Sequence, residues 1–213
     1  MRFSPLTRLL AALGIGLATQ ATAHAYSPEA IDTLRFMIEE EKLAGAVYRA
    51  FADLYPEIRP FQNIPRSEDM HFATLVAQAD LAGVDVSDLT GLGATTFQDA
   101  SLGQLYLDLV AEGSTSAYAA LGVGRNVELL DIADLTAART QVAPGSTLDN
   151  AYVNLMRASQ NHLNAFTRWQ SMTPMPVSAV PEPHSYGLFL AGLGVLGAVA
   201  RRRGHAAKAT ALA

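Results

Sequence analysis

The chain has no cysteine among its 213 residues, which removes thiolate nucleophiles, thiolate metal ligands and disulfides together. Basic side chains are scarce where the fold must lie: residues 26–180 carry nine Lys and Arg against nineteen Asp and Glu, a formal charge of −10. A field of that sign repels nucleic acid and attracts cations. Period-two alternation bounded by hairpin turns is missing, so no sheet is expected. There is no internal repeat, no nucleophilic triad and no phosphate loop. The "GLGVLG" run near the C-terminus follows no strand and lies in a membrane-like stretch.

Both ends read as address labels. Arg2 and Arg8 precede the apolar run Leu9 to Ala18, and Ala23-His24-Ala25 supplies the small-x-small pattern of a signal-peptidase site. Residues 1–25 are therefore expected to be a signal peptide and Tyr26 the first mature residue. Residues 173–183, rich in Pro and Ser, form a linker. Val180-Pro181-Glu182-Pro183 leads into the apolar run Tyr186 to Ala200, closed by Arg201-Arg202-Arg203. Fifteen residues at ~1.5 Å each reach ~22 Å, short of a ~30 Å hydrocarbon core, so the run is expected to be a weak, transient anchor. Its basic end would stay cytoplasmic. Residues 184–203 resemble a PEP-CTERM sorting segment, with 204–213 as a short tail. The resemblance implies cleavage by an exosortase and delivery to the cell surface or extracellular matrix.

Between these labels, residues 26–172 read as an all-α bundle of four long helices and one short one. Ser27-Pro28-Glu29 combines a capping hydroxyl, a proline with no N–H to lose and an acid in the first turn. The helix it starts should run to about Leu54, with Ile31, Leu34, Met37, Ile38, Ala44, Tyr48 and Ala52 inward and Gly45 allowing close approach. Pro56 and Pro60 are expected to break the chain. A second helix should run from about Gln62 to Leu81, stopping at Gly83, with Pro65 in its first turn, because deeper in it would clash and lose a hydrogen bond. Glu68 would then sit near the positive end of the helix dipole. Val84 to Phe97 reads as a long loop. A short helix follows from about Ser101 to Glu112, ended by Gly113. Two long ones should run from about Ser116 to Arg139 and from about Leu148 to Gln170, the second capped by Thr147.

Polar residues interrupt the apolar faces in a pattern. Glu68-x-x-His71 puts two side chains about 60° apart and ~4.5 Å along one helix face, so both can reach a common point. Alone, such a pair is what most solvated helices carry. Glu41 fills the gap in the first helix's inward stripe, whereas Glu39 and Glu40 fall toward its sides and suit an acidic surface. Glu128 and Asp131 share a face with Gly124, Ile132 and Leu135, and His162 falls among Tyr152, Leu155, Leu163 and Phe166. Of five histidines, only His71 and His162 lie in the body. Burying Glu41, Glu68, Glu128 and Asp131 unpaired would cost several kcal/mol each. Two divalent cations would cancel the charge, with the imidazoles as neutral ligands. Protonated carboxyls or a wet groove are the alternatives.

The stretches "EEEKLAGAVYRAF", "FQNIPRSEDMH", "VELLDIADL" and "RASQNHLNAF" occur in that order across residues 39–166. The sequence resembles the ferritin-like superfamily, and closely the family called domain of unknown function 2202. The resemblance implies a ferritin-like four-helix bundle with one additional short helix. It also implies a di-metal centre built from one Glu, a Glu-x-x-His, a second Glu and a further Glu-x-x-His. Glu41, Glu68, His71, Glu128 and His162 match that set. Ser159 stands where the last Glu belongs, with Asp131 the candidate to replace it. Pro65 and Leu129 also depart from the closer family's pattern. Iron, or manganese, is the implied metal, and oxidation of Fe(II) by oxygen or peroxide the implied activity. The competing expectation is a non-catalytic surface or matrix scaffold with a degenerate site. Tyr48 suits electron transfer, hydrogen bonding to a ligand or plain core packing, and Asn161 is equally open.

Overall fold

The computed structural model describes residues 26–176. The expected signal peptide, the sorting segment, the tail and most of the linker lie outside them. Six helices and no strand occur among the described residues: α1 (Pro28–Leu54), α2 (Arg59–Leu81), α3 (Ser87–Thr90), α4 (Ala100–Gly113), α5 (Ala117–Arg139) and α6 (Thr147–Met172). α1 packs along α2 and α5 along α6, and the two pairs join through α2–α6 and α1–α5, which makes the four-helix bundle. α4 lies over α1 and α5, and α3 touches α1. No described helix is long and apolar enough to cross a membrane.

Helix starts follow local chemistry. Ser27, Ser116 and Ser146 each accept a backbone N–H in the first turn of α1, α5 and α6. Ser146 therefore caps α6, and Thr147, expected in that role, is its first helical residue. Asp99 caps α4 by accepting from Ser101 N at 2.8 Å. The loop expected over 84–97 contains the single turn α3. Asp85 starts it by accepting from Ser87 N at 2.9 Å, and Leu89 is buried beneath it.

α2 begins at Arg59, earlier than expected. Pro60 sits in its first turn instead of breaking the chain, and Pro65 lies in its interior. An interior proline costs about 3 kcal/mol. The helix ahead of Pro65 buries Phe61 and Ile64, each worth roughly 1.5–3 kcal/mol, which offsets that cost. Phe61 joins Phe51, Tyr48 and Phe166 in an aromatic cluster with centroid separations of 5.0–6.3 Å.

α1 is enclosed on nearly every side between Met37 and Tyr48. Glu39 and Glu40, expected at the surface, are 4% and 3% exposed. The reason is tertiary: the N-terminal loop of α4 covers Glu39, and α5 covers Glu40. Glu39 accepts from the backbone N–H groups of Gln98 and Asp99 and so caps α4 from another helix. Consecutive helical residues differ by about 100°. Glu39, Glu40 and Glu41 thus meet α4, α5 and α2 in turn.

Gly113 has no positive φ, so it does not end α4 through a left-handed conformation. Its role is closeness, since a Cβ there would lie 2.1 Å from the Phe51 ring. In the same helix a Cβ on Gly103 would meet nothing nearer than 4.0 Å. Gly113→Ala is therefore expected to destabilise by about 1–3 kcal/mol, and Gly103→Ala to stabilise by up to about 1 kcal/mol. Opposite shifts of the thermal midpoint test this. A harmless Gly113→Ala would contradict the packing described.

Candidate metal centre

The centre lies midway along the bundle, where α1, α2, α5 and α6 each turn a polar side chain inward. Glu41 comes from α1, Glu68 and His71 from α2, Glu128 and Asp131 from α5, and His162 from α6; all six are buried. His71 Nδ1 is 3.1 Å from Glu41 Oε2 and 2.8 Å from Glu68 Oε2. His162 Nδ1 is 2.9 Å from Glu68 Oε1 and 3.5 Å from Glu128 Oε1. The imidazoles stack with centroids 5.6 Å apart, one on each side of the Glu68 carboxylate.

Two groups of three result, Glu41–Glu68–His71 and Glu68–Glu128–His162, each with ligand atoms within 4.8 Å of one another. Either could hold a metal ion, and Glu68 belongs to both. Glu41 Oε1, Glu68 Oε1 and His162 Nδ1 are buried with no aligned hydrogen-bond partner, although the last two are only 2.9 Å apart. Donor atoms that converge without hydrogen-bond alignment fit a shared cation better than they fit each other. Carboxylate oxygen with imidazole nitrogen suits iron, manganese or zinc.

Asp131 is buried beside Ser159 and falls outside both groups. Ser159 is 0% exposed and donates to Leu155 O at 3.0 Å. Tyr48 is both core and site, because its hydroxyl donates to Glu128 Oε1 at 2.7 Å. Gly124 admits the Phe166 ring beside it, 2.8 Å from where a Cβ would stand. Asn161 is exposed. Ser67, which the sequence gave no reason to single out, lies 3.4 Å from His71 Nε2, one turn before it on α2. A groove of about 270 Å³ reaches Glu41 and Glu68 from outside, flanked by Lys42 and Arg49. Arg49 pairs with Asp69, and Lys42 donates to Thr96 O at 2.8 Å.

With α2 starting at Arg59, Glu68 lies mid-helix, beyond the first turn where the dipole acts. Burial would raise its pKa, but contact with His162 and His71 outweighs this and holds it at about 2. Burial would lower both histidines, yet the facing carboxylates push His71 up to about 11 and His162 to about 9. Glu128 rises to about 8 and Asp131 to about 7, chiefly through burial. Burial, then the Asp131 charge, lifts Glu41 well above the usual carboxylate range. Without metal, protons therefore supply the positive charge the site requires.

Stability should follow those protons. Each histidine binds its proton more tightly folded than unfolded, so its contribution is complete below about 6.5. That contribution fades as pH rises through about 9 for His162 and about 11 for His71. Glu128 and Asp131, raised to about 8 and 7, act in the same direction. Glu68 opposes them only in acid, its contribution being lost as pH falls toward about 2. The thermal midpoint of chelator-treated protein is expected to fall steadily from neutral pH toward pH ~10. A flat profile there would contradict the buried charge balance.

Comparison with known proteins agrees with this architecture. Residues 179–203 match the PEP-CTERM protein-sorting motif, which marks the chain for exosortase processing and the cell surface. An uncharacterized protein, MJ0754 of Methanocaldococcus jannaschii, is 34% identical over 145 residues, which cover 67% of this chain and 75% of that protein. The crystal structure of hypothetical protein MJ0754 from Methanococcus jannaschii superposes with a TM-score of 0.64 at 29% identity, covering 79% of this chain and 95% of that one. Residues 30–173 match the model of the uncharacterized protein domain DUF2202, and the chain belongs to that family.

Proposed function

We propose that this is an exported metalloprotein whose helical bundle holds two divalent ions, both iron, with manganese as the alternative metal. Glu41 and His71 would hold one ion, Glu128 and His162 the other, and Glu68 would be shared. The observation that carries the reading is the pair of three-ligand groups meeting at one buried carboxylate. Bound iron would supply one-electron chemistry, with Fe(II) oxidation by oxygen or peroxide as the activity. The signal peptide at 1–25 and release from a transient membrane anchor belong to the same reading.

The chain's own side chains would prepare the ligands. The Tyr48 hydroxyl donates to Glu128 Oε1, the oxygen that also faces His162 Nδ1, and so orients that carboxylate. Burial, followed by the nearby Glu128 charge, raises the Tyr48 pKa well above its ordinary value, so it remains a donor. Ser67 faces His71 Nε2 and restrains that ring while Nδ1 looks into the site. Asp131, beside Ser159 though outside both three-ligand groups, would be the acid at hand in place of the one missing there. The groove beside Lys42 and Arg49 offers an oxidant a way to Glu41 and Glu68.

Elemental analysis of the purified protein after anaerobic Fe(II) loading tests the proposal, with about two metals per chain expected. Glu68→Ala should lose at least one ion and Fe(II) oxidation with it, and unchanged occupancy would refute the ligand assignment. Loading should also release protons, because the histidines must give theirs up. No metal after loading would favour a helical surface scaffold, the reading that Ser159 at the fourth helix's ligand position supports.

A further inference from the structure

The groove that reaches the centre has a floor and a mouth. Glu41 and Glu68 line it at 2% exposure, whereas Arg49 and Asp69 line it with side chains 45% and 61% exposed. At the mouth, Arg49 of α1 pairs with Asp69 of α2 and also donates to Pro65 O at 3.5 Å. A helical side chain leans toward the N-terminus of its own helix, and Arg49 accordingly folds back over Gly45, one turn earlier. Gly45 is buried, and a Cβ there would stand 3.1 Å from Arg49 Nη1 and 3.4 Å from Glu68 Cβ. The bare backbone at Gly45 therefore seats the guanidinium in the α1–α2 seam, beside the stem of the ligand that both three-ligand groups share.

Three carboxyl groups line the groove against two bases, and both bases are engaged, Arg49 with Asp69 and Lys42 with Thr96 O at 2.8 Å. At the floor, Glu41 Oε1 and Glu68 Oε1 are buried without an aligned hydrogen-bond partner. Buried carboxyl oxygens in that state draw a cation inward. We infer that divalent ions enter and leave the centre through this groove, and that the Arg49–Asp69 pair is a latch across it. An exposed ion pair is weak, so the latch opens readily, and losing it changes rates by up to about fivefold. A latch alters entry and exit together and leaves the affinity where it was. The inference rests on the inner centre being a metal site.

Co(II) serves as the probe on the purified chain. Visible absorbance follows uptake and release into excess chelator, and elemental analysis gives the count. Asp69→Asn separates a latch from a simple effect of charge, because it frees Arg49 while making the groove more positive. The latch predicts faster uptake and faster release, each by about two- to fivefold, at an unchanged count. Slower or unchanged uptake would overturn the latch by reducing the pair to surface charge. Ala94→Trp narrows the same groove from the loop after α3 and should slow both processes. Unchanged rates in that variant would overturn the route and leave the inner centre standing. Ala94 and Asp69 are exposed, so both variants are expected to fold. An unsubstituted chain that retains no Co(II) would instead overturn the inner centre, and the route with it.

Discussion

Everything in the bundle is arranged around a surplus of negative charge that no lysine or arginine neutralises. Glu41, Glu68, Glu128 and Asp131 are withdrawn from water, and two imidazoles are the basic groups against them. Glu68 remains ionised because it lies between both rings, and burial, with the Glu68 charge adding to it, raises the pKa of Glu128 and Asp131. In a low-dielectric interior such a set is tolerable only while something positive occupies it. Protons can do this, and so can metal ions. The difference is that protons leave the histidines as the medium becomes alkaline, whereas a divalent ion competes better there.

The apolar packing makes that arrangement possible. One cluster, around Leu34, Leu75, Leu135 and Tyr152, closes the bundle toward one end. The other, built on Phe51, Phe61, Phe166 and Leu121, closes it toward the opposite end. The polar layer sits between them, reached by the groove beside Lys42. Gly124 and Gly113 permit aromatic rings to lie where side chains would normally stand, which brings α4 close to α1 and α5 close to α6.

Much of this was legible beforehand, for a reason specific to helices. A 3.6-residue period converts spacing directly into direction, so Glu41 in an apolar stripe and His71 three residues after Glu68 could be placed inward without knowing their partners. Contacts between elements distant in sequence were not legible. Glu39 looks like a surface acid until the start of α4 is laid over it some sixty residues later, and Glu40 until α5 is. Pro65 looked like a first-turn residue because a local rule ignores what Phe61 and Ile64 gain by extending the helix. Tyr48 could be read as core or as site, and only the 2.7 Å contact with Glu128 makes it both. The one-turn helix at Ser87 lay below the length at which periodicity speaks, although Asp85 two residues earlier was a usable sign.

The enclosure of α1 has a consequence for how the chain can vary. Because Glu39, Glu40 and Glu41 each engage a different neighbour, inserting or deleting one residue before them would rotate the remaining helix by a little over a quarter turn. Every acid would then be handed to the wrong element, and a rod enclosed on nearly every side leaves little room for a compensating shift. Length changes are mechanically confined to the connections, such as the stretch between α3 and α4, and the central rod behaves as a fixed camshaft against which those parts are timed.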